Sequence, residues 1–147
     1  VLFQFPVARI ISRVRLTTAL IAGCLFYAAG FALAGWAGSF LAIAACVLVV
    51  STGELFVAPS TLSLSANLAP AEGRGRYIGV YGFFEMLGRC LGPLIGGIML
   101  EKFSARPWIH WALIVMIGLA AAACYGALRR RVPPEVDWNG LTPTRSR

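Results

Sequence analysis

Apolar residues along this 147-residue chain fall in long blocks broken by short polar stretches, with neither the alternation of a half-buried strand nor the polar face of a soluble helix. Blocks of about 20 such residues are long enough to cross the hydrocarbon core of a bilayer as helices. Four full spans are predicted, at about 17–37, 40–67, 77–100 and 108–128. Residues 1 to 8 read as the end of a further helix that begins upstream of Val1, and no signal-peptide pattern opens the chain. The turn at Gly38 and Ser39 is so short that the first two spans must run antiparallel side by side. A polar loop, Leu68 to Arg76, separates the second span from the third, and Glu101, Lys102 and Arg106 mark the next. Residues 1–131 thus form one transmembrane bundle, and 132–147, with Pro133 and Pro134 and no periodicity, read as a disordered polar tail. The expected class is an all-α, multi-pass helical membrane bundle.

Composition strengthens that reading. Hydrophobic residues make up 59% of the chain and charged residues 13%, against about 25% charged in a soluble domain. The net charge of +7 would suit nucleic acid, but no basic face is interleaved with aromatics, so a nucleic-acid partner is not expected. The basic residues are topology signals instead. Arg9, Arg13, Arg15, Arg74, Arg76 and Arg129 to Arg131 gather on one side of the spans, with only Lys102 and Arg106 on the other. The positive-inside bias places the Arg-rich side and the C-terminal tail in the cytoplasm. Arg129 to Arg131 would anchor at the anionic inner leaflet. The arginines Arg9, Arg13, Arg15, Arg74 and Arg76 have a second reading, as a gate of charged cytoplasmic loops.

Candidate chemistry is sparse. Cys24, Cys46, Cys90 and Cys124 sit one to a block without C-x-x-C spacing, so no metal site is expected, and they read as packing or lipid-facing residues. No cofactor is implied. His110 lies between Trp108 and Trp111 and suits an interfacial anchor better than a proton relay. No nucleophile–base pair or phosphate loop appears, so an enzyme is not expected.

The third span holds Gly79, Gly88, Gly92, Pro93, Gly96 and Gly97 in the pattern G-x8-G-x3-G-P-x2-G-G. Glycines four apart let a second helix approach closely, and Pro93 removes one helical hydrogen bond. At 100° per residue Gly82, Glu85, Arg89, Gly92 and Gly96 share one face, opposite Phe83, Leu87, Leu91, Leu94 and Ile98. One side meets protein or water and the other lipid.

Three ionisable residues lie inside spans: Glu54, Glu85 and Arg89. Each costs at least ~2.5–3.5 kcal/mol at mid-membrane, so such groups face a cavity or a partner. Glu54 lies ~21 Å below the outer end of its helix and Glu85 ~12 Å above the inner end of the next, so their depths nearly coincide in a ~30 Å core. Glu85 and Arg89 suit either a self-neutralising i,i+4 pair or a transport role. Glu54, with Val50, Ser51, Val57 and Ala58 one turn away, suits either a buried structural hydrogen bond or a carboxylate that loads and releases a proton.

The third-span pattern resembles the antiporter motif of major facilitator superfamily drug transporters at every defined position. That motif is typical of the fifth helix, with related versions in the eleventh. Residues 5–13 lack the Asp of the G-x-L-a-D-R-x-G-R-R loop that marks an N-terminal half. Gly53, Glu54 and Pro59, then Leu68-Ala69-Pro70 and Arg74-Gly75-Arg76-Tyr77, look like the tenth helix and its following loop in bacterial members. The resemblance covers residues 1 to 130 and implies the end of helix 8 and helices 9 to 12. By that resemblance the chain is most of the C-terminal half of an inner-membrane secondary transporter. It would move a small molecule by alternating access, as proton-coupled efflux, together with the missing N-terminal half. The competing expectation is a self-contained four-helix membrane scaffold without transport activity.

Overall fold

The computed structural model describes Arg9, Ile11 and residues 14–138. Four long helices account for most of them: α1 Leu16–Ala34, α2 Phe40–Leu68, α3 Arg74–Lys102 and α4 Pro107–Arg131, with a short 3-10 turn at Ala71–Gly73. Each is long and apolar enough to cross a membrane. At 1.5 Å per residue, the 29-residue helices α2 and α3 are ~43 Å long, well beyond a ~30 Å hydrocarbon core. They must tilt or project. No strand occurs among the described residues, so the backbone hydrogen bonds are met within helices, as a lipid surround demands.

The helix ends follow from local chemistry. The Ser39 hydroxyl accepts a hydrogen bond from the Ala42 N–H at 3.3 Å and starts α2. Pro107 opens α4 at a position where a missing N–H costs nothing. Arg129 to Arg131 fill the last turn of α4, where cations meet the negative end of the helix dipole. The start of α1 is different: Arg15 occupies the N-cap position and offers no capping side chain.

α1 is the central helix, packed along its length against α2 on one side and α4 on the other, whereas α3 touches its neighbours only lightly. The α1–α2 seam is made by glycines. A Cβ built on Gly23 would stand 2.5 Å from Val57 Cγ2 and 3.0 Å from the Gly53 carbonyl; one on Gly30 would meet Val50 Cγ2 at 2.5 Å. Only hydrogen fits there, and the backbones approach as small-residue membrane packing requires. Phe26 of α1 stacks on Phe56 of α2, and Phe31 of α1 on Trp111 of α4. Gly118 of α4 lies over Ala28.

The best-buried apolar cluster is at the Arg-rich end, where Ile11, Leu16, Ala19, Leu20, Leu64 and Val132 meet. The stretch 132–138 belongs to the tail, 132–147, for which disorder is expected. It has no regular structure, yet Val132 and Asp137 are buried and it packs under α1. Its turns bring a carboxylate to a helix start that lacks one, which outweighs the freedom lost. Residues 139–147 lie outside the described part.

Candidate functional site

The predicted ionisable residues stand on α2 and α3, and one hydrogen bond sets how those helices face each other. Thr61 Oγ1 and Tyr81 Oη are 2.9 Å apart. Glu54 lies seven residues before Thr61 on α2, and Gly88 seven after Tyr81 on α3. Because the helices are antiparallel, both steps run ~10 Å in the same direction. Seven residues are also close to two turns, so Glu54 shares the α2 face that Thr61 turns toward α3. By this helical count Glu54 falls nearest in height to Gly88 and Arg89, about one turn from the Glu85 level estimated from sequence. Tyr27 of α1 lies within electrostatic reach of both Glu54 and Arg89.

Arg89 donates from Nη2 and Nε to Glu85 Oε1 at 2.9 and 3.2 Å, the i,i+4 pair expected from spacing. Both residues are exposed in this chain. Glu54 is exposed as well and forms no hydrogen bond or ion pair among the described residues. The arrangement is an open face carrying a neutralised pair beside an unpaired carboxylate.

Gly79, Gly88, Gly92, Gly96 and Gly97 have nothing within 4 Å of where a Cβ would stand, and α3 contributes no buried residue. Pro93 lies inside α3, as Pro59 does inside α2. Among the described residues the tightest glycine contacts are those of Gly23, Gly30 and Gly53 in the α1–α2 seam. Sequence reasoning passed over Gly23 and Gly30, which sit beside alanines with no polar contrast, and used Gly53 only for the family resemblance.

The loop arginines separate. Arg15 joins the base of α1 to the C-terminal stretch. Arg74 and Arg76 are exposed in the first turn of α3, and Arg9 is exposed. Arg13 lies outside the described residues. His110 is buried, with its ring edge-on to Trp111 and Nδ1 unpartnered. At the same end, an apolar groove of about 480 Å³ between α1, α2 and α4 is lined by Phe31, Val47, Val50 and Trp111. No group of three or more metal-ligating side chains occurs among the described residues.

Asp137 escaped sequence reasoning altogether. It is fully buried; Oδ1 accepts the Thr17 N–H at 2.8 Å and Oδ2 the Thr17 hydroxyl at 2.6 Å. Its carbonyl accepts the Leu16 N–H at 2.9 Å. Arg15 Nε lies 2.9 Å from Oδ2, a contact of charge without hydrogen-bond alignment. No local motif announces this site, since its two halves are 120 residues apart.

The sequence profile of the Major Facilitator Superfamily matches residues 1–145. The chain belongs to that superfamily. Its relatives include an uncharacterized MFS-type transporter, Rv1877, of Mycobacterium tuberculosis (strain ATCC 25618 / H37Rv), 27% identical over 83% of this chain and 18% of the relative. Multidrug resistance protein MdtH of Salmonella newport (strain SL254) is 28% identical over 83% of this chain and 31% of the relative. Multidrug resistance protein 3 of Bacillus subtilis (strain 168) is 26% identical, over 80% and 23%. This major facilitator chain thus spans less than a third of the length of these relatives. No solved structure matches it. The family is one of membrane transporters rather than enzymes, and the four apolar helices are spans of a multi-pass membrane protein.

Proposed function

We propose that this chain is the C-terminal part of a secondary transporter that exports a small molecule against an inward flow of protons, by alternating access. The observation that carries the reading is Glu54: an unpaired carboxylate inside an apolar span, level with the Glu85–Arg89 pair on the neighbouring helix. A charge at that depth is costly unless it faces a wet path or titrates during the cycle. The multidrug names of two relatives favour export of a drug-like compound. The open glycine face of α3 suits docking of the upstream half of the protein, so that the site closes between halves. The Arg-rich end faces the cytoplasm, at the inner membrane of a bacterium, where Arg129 to Arg131 lie against anionic lipid.

The experiment is transport by the full-length protein in proteoliposomes, with and without Glu54→Gln, across a series of imposed pH gradients. Loss of the gradient dependence with substrate binding retained is the expected result. An unchanged pH dependence removes Glu54 from the mechanism.

A further inference from the structure

We infer that residues 132–138 are a built-in clamp that holds the Arg-rich ends of α1, α2 and α4 together as one body throughout the working cycle. Three observations converge on it. The first turn of α1 has N–H groups that an α-helix cannot satisfy from within, and Arg15 at its N-cap offers no capping side chain. Asp137 supplies what is missing, its side chain taking the Thr17 N–H and hydroxyl while its backbone carbonyl takes the Leu16 N–H. A carboxylate at a helix N-terminus is favoured by the dipole, and Arg15 adds an opposite charge at 2.9 Å. The same stretch grips α2: the Asn67 side-chain amide donates to the Val136 and Trp138 carbonyls at 3.0 and 2.9 Å. The third attachment is covalent and apolar, since the stretch leaves α4 directly and Val132 and Val136 join the cluster of Leu16, Leu20 and Leu64.

A fully buried carboxylate with these partners is not a contact made and broken cheaply. Separating it would strip a buried charge and several donors of the partners they have in the folded base of the bundle. The clamp therefore stays shut while other parts of the protein move. Asp137 acts as a positioning residue: it fixes the base of α1 directly, and its segment fixes the end of α2, the helix that carries Glu54.

The test uses the full-length protein with Cys24, Cys46, Cys90 and Cys124 changed to alanine and cysteines placed by Thr17→Cys and Asp137→Cys. Oxidation should form the crosslink in most molecules and leave the transport rate as it is in the reduced state. Absence of a crosslink overturns the clamp's existence, and transport that stops on oxidation and returns on reduction overturns its permanence. A second pair of variants needs no cysteines. Ending the protein after Trp138 should leave its abundance in the membrane unchanged, whereas ending it after Arg131 should lower abundance several-fold. Equal abundance of the two overturns the proposal. Only the transport arm rests on the transporter reading: crosslinking and abundance are read either way, and a lack of transport by the unsubstituted full-length protein counts against that reading and not against the clamp.

Discussion

Two sets of glycines illustrate how little a residue type says without its surroundings. Gly23 and Gly53 sit where the backbones of α1 and α2 nearly touch, and a methyl group on either would meet atoms at 3.0 Å or less. Gly23→Ala should therefore destabilise the bundle by about 1–3 kcal/mol through overpacking, read as a lower unfolding midpoint of the chain in detergent. Gly92→Ala, by contrast, adds a methyl to open space and should leave the same midpoint unchanged or slightly higher, as alanine is the better helix former. At the base of α1, Thr17→Val keeps the shape but removes the donor to Asp137 Oδ2. It should cost about 1–3 kcal/mol, measured in the same way.

Among elements, α3 stands apart. It is as long as α2, yet it buries no residue and is tied to α2 by the Thr61–Tyr81 hydrogen bond. Tyr81→Phe should loosen α3 while leaving the α1–α2–α4 body intact, so amide exchange should speed up along α3 and stay as it was in α1. The four helices were legible in the sequence because lipid imposes one simple demand, a long apolar block, and the chain meets it four times. The i,i+4 pairing of Glu85 and Arg89 was legible for the same reason: helical spacing alone brings them together. The α1–α2 glycine seam was not, because Gly23 and Gly30 differ too little from their alanine-rich neighbours to mark a face. Nor was the Asp137 clamp, since nothing near Pro133 or Pro134 shows that a helix start 120 residues away needs a cap.

For the whole molecule, the picture is of a compact three-helix body with a fourth helix held at its side, less than a third as long as the relatives it matches. If the glycine face of α3 receives the upstream part, Gly92→Leu should leave the chain inserted and helical. It should also abolish co-purification with that upstream part expressed separately. Orientation has its own check: a fluorescent reporter that matures only in the cytoplasm, fused after Arg147, should light up, and a periplasmic phosphatase in the same place should stay inactive.

The clamp also bears on the order in which the protein is made. Thr17 leaves the ribosome 120 residues ahead of Asp137, which at 5–20 residues per second is a delay of roughly 6–24 s. Throughout that interval α1 sits in the membrane with its first turn unfinished. The base of the bundle is thus closed long after α1 has been made, and a nascent chain that stops before Asp137 carries an open helix end that surveillance proteases can recognise.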